Sequence, residues 1–325
     1  MCCLFGLMDY HRSLTVPQKN RLVSALAHAA EIRGTDATGI AYNSGGRLRI
    51  YKRPRPAHTM RFCIPRDAAV IMGHTRMTTQ GKASRNRNNH PFAGRAGDRH
   101  FALAHNGVLF NDRYLRSTLQ LPETRIETDS YIAVQLIEQK GVLDFSSLKY
   151  MAEEVEGSFC FTVLDQENSL YIVRGDNPLC LVHFPSLGLY VYASTEEILK
   201  KALTGARLTR EIPVQEGLTC GDILKISADG KLSRSRFDDS LLLSQCSCWP
   251  YGFRGHQNVF RTGTAEAYLE SLKAVAPSFG FTPEVIDRMA SLGYCAEEIE
   301  EFLQYSLGDR RGSQSRLFPS QSRSC

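Results

Sequence analysis

The sequence predicts an α+β fold in which antiparallel sheets are covered by a few helices, and three observations predict it. Short apolar runs recur in a regular series at 158–165, 169–175, 180–184 and 189–194, each closed by turn residues. Such strand-like runs far outnumber the helical stretches that could serve as crossovers, which disfavours a doubly wound parallel sheet. Helical apolar stripes are confined to a handful of segments, so helices must cover sheets rather than form a bundle. A chain of 325 residues, 42% hydrophobic and 22% charged, can bury a full core as one large domain or two unequal ones.

The elements follow in order. Residues 2–8 (CCLFGLM) read as a short buried strand. Residues 15–34 read as a helix: Thr15 is placed to cap it, Pro17 falls in its first turn, Leu22, Leu26 and Ala29 form its apolar stripe, and Gly34 stops it. TGIAYN (38–43) and LRIYKR (48–53) are strands joined through Ser-Gly-Gly, a turn signal. AAVIMGHTR (68–76) is a buried strand entering a polar loop, and HFALAHNGV (100–108) is another. Helical patterns cover 129–140 and 145–155, the β-series follows, TEEILKKAL (195–203) is a capped helix, and 222–237 is a hairpin around Ala-Asp-Gly.

Composition shifts near 240. The expected organisation is one large domain over 2–240, a linker over 241–263, a small helical region over 264–306 and a disordered, basic, serine-rich tail over 307–325. Within the helical region, Thr282, Pro283 and Gly293 delimit a helix whose Val285, Met289 and Leu292 share a face, and Ile299, Phe302 and Leu303 do the same further on.

Several function classes are disfavoured. A net charge of +5 is mild, and the basic stretches YKRPRP (51–56) and RNRNNH (85–90) lack the density and interleaved aromatics of a nucleic-acid surface, so solvated loops are expected there. The sequence contains no apolar run of membrane-helix length and no signal-peptide pattern, so ten scattered cysteines are expected as reduced thiols in the cytoplasm. Cys246, Cys248 and His256 lack the paired spacing of a structural zinc site, and no phosphate loop occurs; no metal or cofactor is expected.

Four polar loops stand out because each follows an apolar strand or opens a helix: RGTDATG (33–39), GHTRMTTQG (73–81), HNG (105–107) and ETDS (127–130). Taken singly, each is as well explained by turn formation or capping. Their order behind the opening MCCLFG resembles the class II, N-terminal-nucleophile type of glutamine amidotransferase domain. That family opens Met-Cys-Gly-Ile-x-Gly and continues with Arg-Gly-x-Asp-x-x-Gly, a His-Thr-Arg loop ending Thr-x-Gly, Asn-x-His-Pro (here NNHPF, 88–92), His-Asn-Gly, Thr-Asp-Ser/Thr and Gly-Ser/Ala-aromatic (here GSFCF, 157–161). The resemblance runs from residue 2 to about 200 and implies a four-layer αββα sandwich.

It also implies roles. Cys2, once Met1 is removed, would carry a free α-amine beside its thiol, a nucleophile with its own base, since an α-amine titrates near ~7.7–8.0. Asn106 through its side-chain amide and Gly107 through its N–H would form the oxyanion hole. Arg76 would grip the substrate α-carboxylate, Asp129 its α-ammonium, and Thr79 and Gln80 would line the glutamine pocket. Arg33 and Asp36 would support the wall beneath the nucleophile, with Arg33 as a helix C-terminal charge the alternative. No catalytic histidine is required, so His74, His90 and His105 are expected to be satisfied structural residues.

This chain departs from the family pattern at Cys3, where the family has glycine, at Met77, where it has a bulkier residue, and in having no acceptor-domain motif after 245. The expectation is therefore a stand-alone enzyme that hydrolyses L-glutamine to glutamate and ammonia, with the ammonia passed to a synthase on another polypeptide or released. No nucleic acid or membrane is expected as a partner. Two alternatives stay open: a non-catalytic glutamine-binding or regulatory homologue, and a hydrolase of a related γ-glutamyl amide.

Overall fold

A computed structural model describes residues 2–206, 212–240, 242, 264–291, 299 and 303. The chain divides into two compact units, 1–260 and 261–325.

In the first unit, β1 (Cys3–Asp9) is followed by α1 (Val16–Ala30) and a 3-10 turn (Glu31–Arg33). Thr15 and Gln18 close a reciprocal capping box at the start of α1, which is why the helix begins there. β2 (Ala37–Ser44) and β3 (Arg47–Arg53) form a hairpin through Gly45 and Gly46, both with positive φ, as a two-residue turn of this hand requires. Then come β4 (Val70–Arg76), β5 (Phe92–Ala96), β6 (Arg99–Leu109), α2 (Asp112–Thr118), α3 (Tyr131–Lys140) and α4 (Phe145–Glu154). The unit continues with β7 (Gly157–Asp165), β8 (Leu170–Arg174), β9 (Cys180–Phe184), β10 (Leu189–Ala193), α5 (Glu196–Ala206), β11 (Val214–Glu216), β12 (Asp222–Ile226) and β13 (Leu232–Arg236).

The described strands pair antiparallel in two sheets, ordered β11-β9-β10-β1-β4-β2-β3 and β13-β12-β8-β7-β6-β5. Three buried clusters fix the layers. Phe5, Leu7 and Ile71 of the first sheet pack with Leu22, Leu26 of α1 and Ile198, Leu199 of α5. Leu103, Phe161 and Val173 of the second sheet pack with Ile132, Leu136 of α3 and Leu148, Met151 of α4. Leu4, Met8 and Met72 meet Ala102, Ala104 and Leu164 between the sheets. The order is helices, sheet, sheet, helices: an αββα sandwich.

β1 is buried at every position because both its faces are covered, so it shows no polar alternation. Cys3, Phe5 and Leu7 face the helices, whereas Leu4 and Met8 face the other sheet. Cys3, standing where the family has glycine, is absorbed into the helix-side core, where each fully buried apolar side chain contributes about 1.5–3 kcal/mol. Gly6 is required, since a Cβ there would lie 2.6 Å from the Tyr192 ring and 2.4 Å from the Ile71 carbonyl.

The strand β5 and helix α2 were not expected. In β5, FAGRA, Gly94 surrenders its side-chain space to the Phe101 ring on β6, so the strand has little apolar signal of its own.

In the second unit, α6 (Thr264–Val275) and α7 (Pro283–Ser291) are joined by a 3-10 turn (Ala276–Phe279) closed by a left-handed Gly280. Leu272, Val275, Ile286 and Met289 are buried, and Lys273 Nζ pairs with Asp287 Oδ1 at 2.5 Å. The expected linker at 241–263, the stop at Gly293, the face of Ile299, Phe302 and Leu303, and the tail lie wholly or largely outside the described residues.

Candidate functional site

Cys2 stands directly before β1, the strand flanked by β10 and β4. The register Cys3↔Thr75 carries Cys2 alongside Arg76, the last residue of β4. The Cys2 thiol donates to the Met77 carbonyl at 3.4 Å, and Arg33 Nε donates to the Cys2 carbonyl at 3.1 Å. Burial pushes the Cys2 thiol pKa up, with Arg76 among the groups opposing the shift, so the resting sulfur is protonated. Asp36 braces the same corner: its Oδ2 accepts from Thr78 N at 2.8 Å and its own N–H donates to the Arg76 carbonyl at 3.0 Å.

Asn106 and Gly107 lie on β6, flanked by β7 and β5 in the facing sheet. His74, opposite Leu4 in the β1–β4 register, donates from Nε2 to the His105 carbonyl at 2.9 Å and so bridges the two sheets. Cys2 lies two residues before Leu4, the partner of His74, and Asn106 directly follows His105. Asn106 is fully buried, yet neither its Nδ2 nor its Oδ1 has a hydrogen-bond partner among the described residues. An unsatisfied buried amide costs about 1–3 kcal/mol, so its persistence needs a reason. Gly107 has φ +143°, and a Cβ there would lie 1.9 Å from the Ser158 carbonyl oxygen; only glycine fits.

Asp129, just before α3, accepts from the Leu109 N–H at 2.7 Å, two residues past Gly107. Burial raises its pKa, against which the Leu109 and Ser130 N–H groups and Arg76 act. Arg76 is itself 3% exposed; burial lowers its pKa, opposed by Cys2, Asp129 and Asp36. The structure thus brings Cys2, Arg76, Asp129 and Asp36 within electrostatic reach of one another. Thr79 and Gln80 are half-buried in the loop after β4, where Gln80 contributes its carbonyl, accepting from Arg76 Nη2 at 2.5 Å.

Burial holds the three histidines neutral: His74 and His105 are pushed down to about 3, and His90 falls well below its ordinary value. His105 pairs through Nδ1 with Ser130 Oγ at 2.8 Å and stacks on Phe161. The expectation of satisfied histidines fails at His90. Its ring is held against His74 and Phe92, with centroids at 4.2 and 4.4 Å, but neither nitrogen has a partner among the described residues.

Sequence reasoning missed two residues here. Lys52, in a stretch expected to be solvated, is half-buried and donates to the Asn89 carbonyl at 2.5 Å and the Pro91 carbonyl at 3.0 Å. Asn89, also in such a stretch, is fully buried and accepts from Arg76 Nη1 at 2.7 Å. Arg53, Arg55, Arg85 and Arg87 in the same stretches are exposed, as expected. Among the described residues no group of three or more His, Cys, Asp or Glu could hold a metal ion, and no helix is long and apolar enough to cross a membrane.

Comparison with known proteins finds a matching family and a matching fold. Residues 74–201 match the glutamine amidotransferase domain family. The glutamine–fructose-6-phosphate aminotransferase (isomerizing) of Sulfurisphaera tokodaii is 29% identical over 190 residues, covering 56% of this chain and 31% of that protein. The Streptococcus pyogenes enzyme of the same name is 32% identical over 160 residues, 46% and 26% of the two chains. Among solved structures, glutamine phosphoribosylpyrophosphate amidotransferase from B. subtilis superposes with a TM-score of 0.55 at 21% identity, over 73% of this chain and 49% of that one. A structure described as the allosteric regulatory enzyme of purine biosynthesis gives 0.56 at 20%, with the same coverage. The chain therefore spans about a third or less of the curated relatives' length. Both superpositions show the same fold.

Proposed function

We propose that this chain, which carries a class II glutamine amidotransferase domain, hydrolyses L-glutamine to glutamate and ammonia with Cys2 as nucleophile. The observation that carries the reading is the buried, unpartnered Asn106 amide beside the left-handed Gly107. A polar group kept dry and unsatisfied at a motif position is one whose partner arrives with the substrate.

Met1 removal frees the α-amine of Cys2. The thiol attacks the amide carbon, and the amine takes the thiol proton as the C–S bond forms. Negative charge collects on the carbonyl oxygen, facing Asn106 Nδ2 and Gly107 N–H. The amine then gives its proton to the departing nitrogen, the C–N bond breaks, and ammonia leaves a γ-glutamyl thioester. Water adds to the thioester, the amine accepts a proton from it, and the C–S bond breaks with return of that proton to sulfur. Arg76 and Asp129 hold the carboxylate and ammonium of the amino-acid end. The ammonia is delivered to an ammonia-accepting synthase.

The test is to confirm by mass that Met1 is absent and to assay ammonia release from L-glutamine by wild type and Cys2→Ala. Activity in wild type and its loss in Cys2→Ala is the expected result. Equal activity in both, or none in correctly processed wild type, overturns it.

A further inference from the structure

We infer that Asn89 is a positioning residue that aims Arg76 at the substrate carboxylate without giving the guanidinium a charged hydrogen-bond partner. This inference rests on the proposed role of Arg76 in glutamine binding. In the motif Asn-x-His-Pro, Asn89 is the unspecified position, so the resemblance assigns it nothing.

Three oxygens accept from the Arg76 guanidinium: Asn89 Oδ1 at 2.7 Å, the Gln80 carbonyl at 2.5 Å and the Gly81 carbonyl at 3.2 Å. All three are neutral. The two carbonyls belong to the stretch that leaves Arg76. Asn89 closes the same β4–β5 connection, but it is also held from another strand. Its Nδ2 donates to the Ala83 carbonyl at 2.8 Å and its N–H to the Asn86 carbonyl at 3.2 Å. Its carbonyl accepts from Lys52 on β3 at 2.5 Å, and the side chain is fully buried. Through Lys52, Asn89 therefore ties the guanidinium to β3 at the edge of the sheet, a link the two loop carbonyls lack.

The residue type matters as much as its place. A carboxylate here would bond the guanidinium more strongly than an amide does. It would also neutralise the charge that a substrate carboxylate must find, in a buried site where charges interact strongly. An amide fixes the fork and leaves the positive charge for the ligand.

The experiment measures calorimetric binding of L-glutamine and of L-glutaminamide, which lacks the carboxylate, to the full chain carrying Cys2→Ala. Because it needs no turnover, it stands apart from the ammonia-release test. Adding Asn89→Asp is expected to weaken glutamine at least about tenfold and to leave glutaminamide unchanged or tighter, with the melting temperature preserved. Should Asn89→Asp not fold, Asn89→Ser is expected to weaken glutamine several-fold, with glutaminamide little changed. Unchanged preference for glutamine over glutaminamide in a folded variant overturns the inference, as does failure of the parent protein to distinguish the two ligands. Parallel loss of both ligands would mean a merely structural role and also overturns it.

Discussion

The buried histidines make the protein sensitive to acid in a way that can be worked out from their environment. His74 and His105 titrate at about 3 in the folded chain and near 6.5 when unfolded. Between those values the unfolded state binds protons that the folded state refuses. The stability they contribute is complete above pH 6.5 and is lost as pH falls toward 3. At pH 4.5, two units below the ordinary value, each withheld proton costs about 2.7 kcal/mol. The pair together approaches about 5 kcal/mol, a third or more of the stability of a typical domain. His90 acts in the same direction. The buried carboxylates Asp129 and Asp165 act oppositely, because burial raises their pKa and the folded state holds their protons more tightly. The assay is urea unfolding of wild type and His74→Gln between pH 4 and 7. Glutamine can still donate to the His105 carbonyl but cannot titrate. The two stability profiles should converge as pH falls, by about 2–3 kcal/mol at pH 4.5 relative to pH 7. Profiles that stay parallel within about 0.5 kcal/mol would refute the reasoning.

Two further outcomes follow from the geometry. Gly107→Ala must shift the Ser158 carbonyl or abandon φ +143°, at a cost of about 1–3 kcal/mol in denaturant unfolding. It should also lower kcat for glutamine about 10²–10³-fold through displacement of one oxyanion donor, and a kcat within a factor of about three of wild type would count against the assignment. Lys19 and Asp9 form a buried pair at 3.6 Å, with Lys19 Nζ also donating to the Ala68 carbonyl at 2.6 Å. Lys19→Met should destabilise the chain by about 3–5 kcal/mol because it removes the cationic partner of a buried carboxylate, which keeps only its donors from Ser13 and Leu14; a loss under about 1 kcal/mol would show that the pair contributes little.

Where an element's stability is local, the sequence displays it. The capping box at Thr15, the Gly45–Gly46 turn and the apolar runs of β7 to β10 each carry their own signal, and each forms where that signal lies. β5 carries little, because beyond Phe92 its core face is alanine and a glycine whose side-chain space is filled by Phe101 of the neighbouring strand. The same division runs through the candidate site. Cys2, Arg76, Asn106, Gly107 and Asp129 sit in short motifs that can be quoted from the chain. Lys52 lies in none and Asn89 only at the unspecified position of Asn-x-His-Pro, since each finds its hydrogen-bond partners only when β3 meets the 82–91 loop. A lysine or an asparagine within a basic run reads as solvated until a distant carbonyl or guanidinium removes it from water. On the proposed function, motifs thus report the groups that meet the ligand, while the groups that aim them are specified by tertiary contact. An arginine at a motif position therefore identifies a carboxylate grip only as far as the neutrality of its other partners allows, and here that neutrality depends on Asn89.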